Sequence, residues 1–196
     1  MSLRDLRGSR MILFVLNIMK VISLKRVSEE QVNREGSLQV TVAVLGLGNP
    51  FVSDDAVGLH VAAEVERLLD DAPIPGVTVM TSSRAGFDLI RLLSGFSHAL
   101  IVDCLELPAP HPGRIHRMGL GKLAGSARLV GAHDISVADA FELAATLRIA
   151  MPGTVEIYAV EGGNMLTLRE EMTPEVDAIV APLAWKIYER AGEWLL

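Results

Sequence analysis

One stretch, residues 42–58, constrains the fold of this chain more than any other. An aliphatic run from Val42 ends in two glycines one residue apart, which predicts a buried strand that leaves the sheet sharply. After an Asn-Pro turn, Asp54 and Asp55 precede a segment of helical periodicity. We expect Asp54 to cap this helix and Asp55 to face outward. Ligands of open α/β sheets bind outside the carboxyl ends of the strands, so this loop is expected to border a functional site.

Helix and strand patterns alternate along the rest of the chain. The remaining predicted elements are a helix from 57 to 69, a strand at 77–81, a short helix at 87–93, a strand at 98–102, an edge strand at 114–118, a helix from 137 to 149, a strand at 154–160 and a last helix that begins at Thr173 and is kinked at Pro182. This order predicts a three-layer α/β/α sandwich with a mostly parallel central sheet, of the phosphorylase/hydrolase-like type.

Composition limits the classes of function. The chain has 196 residues, of which 50% are hydrophobic, and this suits one globular domain. A net charge of −6 argues against nucleic acid, which proteins bind through many Lys and Arg contacts to phosphates. The single cysteine, Cys104, allows no internal disulfide and favours a reducing compartment, so we expect a cytoplasmic protein.

The first 38 residues differ from the remainder. Residues 11–24 are apolar and follow three arginines, as in a secretory signal, but Lys20 interrupts the run and no small-residue cleavage site follows. The run is also shorter than the roughly 20 residues that a membrane span requires. We therefore predict an N-terminal extension at 1–38, poorly ordered or lying on the surface, followed by a single domain at 39–196 without a membrane span.

Three side chains occupy positions where chemistry is expected. Asp55 follows the first strand, Asp103 follows a central strand, and His133 ends a glycine-rich loop immediately before a helix. Taken singly, each has a simpler role: Asp55 as a helix-dipole partner, Asp103 as a turn cap and His133 as a helix-entry residue. Taken together, two carboxylates and an imidazole form a ligand set for Ni or Zn with open positions. Their spacing in sequence leaves open whether they converge.

Two further residues are weaker candidates. Glu161 is a carboxylate at another strand end and could lie at the edge of a site. Cys104 is expected to be a small buried apolar residue rather than a nucleophile, because no base can be assigned to it.

The combined motifs resemble the hydrogenase maturation endopeptidases, and the resemblance spans roughly residues 40–190. It rests on Gly46-Leu47-Gly48-Asn49, Asp54-Asp55-Ala56-Val57-Gly58, Ile101-Val102-Asp103 and Ala132-His133-Asp134 with Ala138-Asp139 behind it. The resemblance implies a cytoplasmic endopeptidase, aspartic-type or metal-dependent, that removes the C-terminal extension of a nickel-iron hydrogenase large-subunit precursor after nickel insertion.

The resemblance also implies a role for each candidate residue. By position, it gives two roles to Asp55, Asp103 and His133: they are the catalytic residues and the ligands of nickel. The substrate carries this nickel, and the free protein is not expected to bind it tightly. The attacking group is left open between a metal-associated water and a carboxylate that acts as general base. Some family members carry Glu at the position of Asp55, and the side chain of Asp is about one methylene group shorter.

Three alternatives remain. A non-catalytic, nickel-checking chaperone of the same fold stays open because of the Asp at position 55. Peptidyl-tRNA hydrolase also begins with a strand and a Gly-Leu-Gly-Asn-Pro loop, but the acidic pair and the negative net charge disfavour it. The hypothesis of a nucleotide-binding domain rests on two glycines alone, since Phe51 stands where the third glycine of the dinucleotide motif belongs.

Overall fold

The structure is a computed structural model that describes residues 40–83, 87–121, 137–165 and 167–196. The predicted extension at 1–38 and the candidate ligand His133 lie outside these residues. The strands are β1 (Val42–Leu47), β2 (Val77–Ser82), β3 (His98–Leu105), β4 (Ile115–Gly119) and β5 (Thr154–Glu161). The helices are α1 (Val57–Asp71), α2 (Phe87–Leu93), α3 (Val137–Thr146), α4 (Pro174–Asp177) and α5 (Val180–Glu193), and a 3-10 turn (Ser53–Ala56) precedes α1.

The five strands form one sheet in the order β2-β1-β3-β5-β4. The first four strands in this order run parallel, and β4 pairs antiparallel with β5 at one edge. The predicted mostly parallel sheet is confirmed. Because β1, β3 and β5 are neighbours and parallel, their carboxyl ends lie at the same edge of the sheet.

Side chains alternate between the two faces of the sheet, and each face has its own core. On one face, Val42 and Val44 pack with apolar residues of α1 and α5; on the other, Ala43 and Leu45 pack with residues of α2 and α3. Burial on both faces explains why β1 is a continuous aliphatic run rather than an alternating one. Helices on both faces complete the predicted three-layer α/β/α sandwich.

Helix α1 approaches the sheet closely because its second residue is Gly58. A Cβ atom at this position would contact the carbonyl oxygen of Leu47 and would lie 2.5 Å from that of Val102. Real Cβ atoms essentially never come this close to a carbonyl oxygen, so a side chain here would push the start of α1 away from β1 and β3.

Two predicted boundaries are wrong in an informative way. Strand β3 continues to Leu105, so Asp103 lies within the strand and not after it. The last helix is not one kinked helix but two helices, with a break at residues 178–179 that precedes Pro182. Proline lacks an N–H and its ring clashes with the carbonyl four residues earlier, which explains why the chain breaks there and restarts with Pro182 in the first turn of α5.

Within the part of the chain that the structure describes, no helix combines the length and the apolar character needed to span a membrane.

Candidate functional site

Acidic side chains collect at the carboxyl edge of the sheet. Asp54 and Asp55 lie in the 3-10 turn that follows β1, Asp103 lies near the end of β3, and Glu161 is the last residue of β5. Three of these four side chains are buried: Asp54 is 0%, Asp103 6% and Glu161 1% exposed. Burying an ionised carboxylate is costly unless it is paired or hydrogen-bonded, so the surroundings of each acid indicate its role.

Asp55 lies half-buried at the end of the loop that leaves β1. Its carboxylate Oδ2 accepts a hydrogen bond from the backbone N–H of Asn49 at 2.9 Å, which closes the loop from 49 to 55. The sequence had predicted that Asp55 faces outward, but its carboxylate is hydrogen-bonded within its own loop. Gly48, with φ of 150°, allows the backbone to pass close to the Asp55 carbonyl, where a Cβ atom would clash. Burial raises the pKa of Asp55, and the bond from Asn49 offsets part of that rise.

Asp103 is the more deeply buried partner of Asp55. Its Oδ1 accepts a hydrogen bond from the backbone N–H of Cys104 at 2.9 Å. Burial raises the pKa of Asp103 to about 8, and the nearby charge of Asp55 adds to the rise. The structure therefore brings together two of the three predicted site residues, close enough for the charge of Asp55 to raise the pKa of Asp103. The third, His133, lies outside the described residues.

Asp54 does not cap helix α1, contrary to the prediction, since no side-chain hydrogen bond caps either the 3-10 turn or α1. Its carboxylate instead accepts hydrogen bonds from the backbone N–H groups of Gly163, Asn164 and Thr173 at 2.8, 2.9 and 2.7 Å, and from the Thr173 hydroxyl at 3.1 Å. Because the chain turns through the 3-10 conformation before α1 begins, Asp54 points away from the helix axis and into the segment after β5. Asp54 thus joins the loop of Asp55 to that segment.

Cys104 is buried as predicted, and its thiol lies 3.1 Å from the thioether sulfur of Met165. Burial and the neighbouring carboxylates Asp103, Asp55 and Asp54 raise the pKa of this thiol far above its usual range. A thiol that stays protonated is a poor nucleophile, so Cys104 acts as a packing residue.

Glu161 binds groups from the turn before β4 and from β4 itself. Its carboxylate accepts a hydrogen bond from the backbone N–H of His111 and lies 2.7 Å from Nε2 of His116. These bonds, led by the one from His111, lower the pKa of Glu161. The sequence indicated Glu161 as a residue at the edge of a site but gave no sign of its histidine partners. The contact with His116 depends on β4 lying antiparallel beside β5, and no local sequence signal predicts that pairing.

The acids at this edge can supply oxygen ligands to a cation or accept protons. Within the described ranges, no three or more His, Cys, Asp or Glu side chains come together as a metal site. Asp55 and Asp103 by themselves would supply two carboxylate ligands and leave the other coordination positions of a metal ion to other groups.

Several solved structures share this fold. The hydrogenase maturating endopeptidase HybD from E. coli is 19% identical to this chain and superposes with a TM-score of 0.65. The alignment covers 79% of this chain and 93% of HybD. The [NiFe] hydrogenase maturation protease HycI from Thermococcus kodakarensis is 19% identical, with a TM-score of 0.61, and its alignment covers 86% of this chain and 99% of HycI. HybD from Thermococcus kodakarensis, also a [NiFe] hydrogenase maturation protease, is 22% identical, with a TM-score of 0.54 and coverages of 78% and 99%. At these identities the likeness concerns the fold.

The family follows from the sequence comparison. Residues 59–190, more than half of the chain, match the family described as hydrogenase maturation protease. This chain belongs to the hydrogenase maturation protease family, a family of hydrolases, as its motifs had predicted. The matched range includes Asp103 and His133 but begins after Asp55. No curated protein matches the chain significantly.

Proposed function

We propose that this protein is the endopeptidase that removes the C-terminal extension of a nickel-iron hydrogenase large-subunit precursor once nickel has been inserted, with the cytoplasm as its compartment. Membership in the hydrogenase maturation protease family gives the reaction class. Structures of the same fold are named as [NiFe] hydrogenase maturation proteases, which supports a nickel-iron enzyme as the target.

The observation that carries this proposal is the carboxylate pair of Asp55 and Asp103. Both lie at the carboxyl edge of the sheet, one half-buried and one almost fully buried, and the charge of Asp55 raises the pKa of Asp103. With a pKa of about 8, Asp103 is mostly protonated at neutral pH. In the resting protein Asp103 therefore adds little negative charge to the pair.

This protonation makes the pair responsive to a cation on the substrate. A divalent ion near two carboxylates favours their ionised forms, so Asp103 releases its proton when nickel-loaded precursor binds. Nickel arrives as part of the substrate, already held by substrate groups, and the protein contributes only the remaining ligands. In our proposal these are Asp55, Asp103 and His133, and so few ligands bind free metal weakly. A precursor without nickel brings no divalent ion to the pair, so Asp103 keeps its proton.

Cleavage requires a group that takes a proton from water. In our proposal a carboxylate of the pair, ionised in the presence of the nickel-loaded substrate, removes a proton from a water molecule whose oxygen attacks the carbonyl carbon of the scissile peptide. The carbon–nitrogen bond then breaks, the nitrogen receives a proton, and the mature subunit is left with a new C-terminal carboxylate. Asp55 suits the role of base better than Asp103, because it is less buried and closer to water.

The test is intact-mass analysis of a cognate large-subunit precursor, nickel-loaded and nickel-free, before and after incubation with the full-length protein. We expect loss of a C-terminal peptide from the nickel-loaded form only. Asp103→Asn should abolish this cleavage, whereas Asp71→Asn, which changes a carboxylate with 71% side-chain exposure at the end of α1, should leave it intact. Cleavage of nickel-loaded precursor by Asp103→Asn at the wild-type rate would contradict the assignment.

Mass analysis combined with a binding measurement separates the alternatives. Binding of nickel-loaded precursor by the wild-type protein without any change in precursor mass would favour a nickel-checking chaperone. Family membership leaves peptidyl-tRNA hydrolase and a nucleotide-binding domain without support.

A further inference from the structure

Two large apolar side chains are exposed on neighbouring loops beside the carboxylate pair. Phe51 is 62% exposed on segment 49–53, and Leu168 is 82% exposed on segment 167–171. We call these two segments, with their two apolar side chains, the apolar rim. The other large apolar side chains exposed in the described ranges are Trp185 and Leu196, which belong to α5 and to the end of the chain.

Hydrogen bonds hold the two segments of the apolar rim together. The backbone N–H of Arg169 donates to the Phe51 carbonyl at 3.0 Å, and the N–H of Ser53 donates to the Arg169 carbonyl at 2.6 Å. The Ser53 hydroxyl also donates to the carbonyl of Glu171 at 3.0 Å. Ser53 is buried and has a φ of 24°, a conformation that costs free energy in a non-glycine residue and persists only when its surroundings fix it. The backbones of the two segments are therefore joined to each other, and they carry Phe51 and Leu168 on adjacent loops.

The apolar rim is continuous with the candidate site. Phe51 lies on the loop that the carboxylate of Asp55 closes through its bond from Asn49. Asp54, next in sequence to Asp55, binds the backbone at Asn164 and Thr173, on either side of segment 167–171. Each segment of the rim is thus attached to one of the two adjacent acids: segment 49–53 to Asp55, and segment 167–171 to Asp54 through the residues on either side of it.

Charge on the apolar rim disfavours an acidic occupant. Arg169 pairs with Glu171 at 2.8 Å, and the exposed Glu170 leaves segment 167–171 with a net charge of −1. An apolar side chain carries no charge to be repelled, and burying a Leu or Phe side chain from water is favourable.

We propose that the apolar rim is a docking surface for the polypeptide substrate, and that it receives an apolar side chain of an extended precursor segment beside the bond to be cut. This inference rests on the proposed function, and it adds a recognition element that acts on the polypeptide and is independent of nickel. The precursor is then recognised twice, by its metal at the carboxylate pair and by its chain at the rim.

The experiment measures equilibrium binding of the full-length protein to nickel-free and to nickel-loaded precursor, with Phe51→Ser and Leu168→Ser as the variants. Each substitution should weaken binding about tenfold, because that factor corresponds to the loss of one buried apolar side chain. The loss should be equal for the two forms of precursor. Trp185→Ser and Leu196→Ser remove comparably exposed apolar side chains outside the rim and should leave binding unchanged.

Asp103→Asn provides the contrast, since it should weaken binding of the nickel-loaded precursor only. The docking proposal is overturned if the wild-type protein does not bind nickel-free precursor, or if Phe51→Ser and Leu168→Ser bind it as tightly as the two control variants. Binding that weakens as expected in the absence of any cleavage supports the docking surface while it contradicts the proposed protease function. The two hypotheses therefore fail through different results.

Discussion

Replacing Asp103 by asparagine should stabilise the metal-free protein, and increasingly so as pH rises. The wild-type carboxyl has a pKa of about 8 in the folded protein against an ordinary value of 3.8. The folded state therefore holds this proton more firmly than the unfolded state. As pH rises from about 4 to 8 the unfolded chain loses the proton first, so the free energy of unfolding falls with pH. The stabilisation from the protonated Asp103 is fully present below pH 4, decreases as pH rises from about 4 to 8, and is lost above pH 8.

The size of the effect follows from the shift. The two values differ by about four pH units, and each unit corresponds to about 1.4 kcal/mol, which gives a loss on the order of 5 kcal/mol by pH 9. An asparagine has no proton to lose, and its carbonyl oxygen can still accept the hydrogen bond from Cys104. The variant and the wild type should thus be about equally stable at pH 4 and differ by several kcal/mol at pH 9.

Urea unfolding of both proteins at a series of pH values from 4 to 9, with a chelator present, measures this difference. Titrating groups that do not interact with Asp103 are common to both proteins and cancel. Asp71→Asn, an exposed change, should stay within about 0.5 kcal/mol of wild type throughout. A difference between Asp103→Asn and wild type that is constant with pH, or that reverses sign as pH rises, would refute the claim that Asp103 is held protonated by burial and by Asp55.

Two substitutions test the parts of the fold that support the site. Asp54→Asn should lower the free energy of unfolding by about 2–4 kcal/mol at pH 7, because an amide N–H would meet backbone N–H donors where the carboxylate now accepts. Gly58→Ala should cost about 3 kcal/mol, since its Cβ would lie 2.5 Å from the Val102 carbonyl oxygen. Gly192→Ala, in α5, is its matched control and should be neutral or stabilising by up to about 1 kcal/mol, because its Cβ meets only a side-chain methyl of Ile74 at 3.5 Å. Urea or thermal unfolding of each variant provides the measurement.

For Asp54→Asn, unfolding within about 0.5 kcal/mol of wild type would mean that the four hydrogen bonds of Asp54 contribute little. For the glycine pair, equal effects of Gly58→Ala and Gly192→Ala would contradict the close approach of α1 to the sheet.

The layered architecture could be predicted from the sequence because burial dictates it. A strand covered by helices on both faces must be apolar throughout, and helices on a sheet show apolar periodicity on one side, so both patterns are visible in the residues themselves. The boundary errors arose where a local signal was compatible with two outcomes. Pro182 excludes a continuous helix, yet a kink and a complete break both satisfy its missing N–H.

The roles of the adjacent acids could not be predicted in the same way. Asp54 and Asp55 are identical in type and neighbours in sequence, and only the 3-10 turn decides which one enters the interior. The partners of Asp54 come from residues 163–173, more than 100 positions away, and no local pattern points to them. Asp103 was identified by its strand, but its raised pKa requires knowledge of how deeply it is buried and of the charge beside it.

The partners of Asp54 also set the order in which its surroundings can form during synthesis of the chain. Asp54 is bonded to Thr173, 119 residues later in the chain, so this bond forms only after that segment has left the ribosome. The chain is synthesised from its amino-terminal end, so β1 and α1 are present long before the segment after β5. A nascent or truncated chain that stops before that segment therefore presents Asp54 without the four hydrogen bonds that hold its carboxylate.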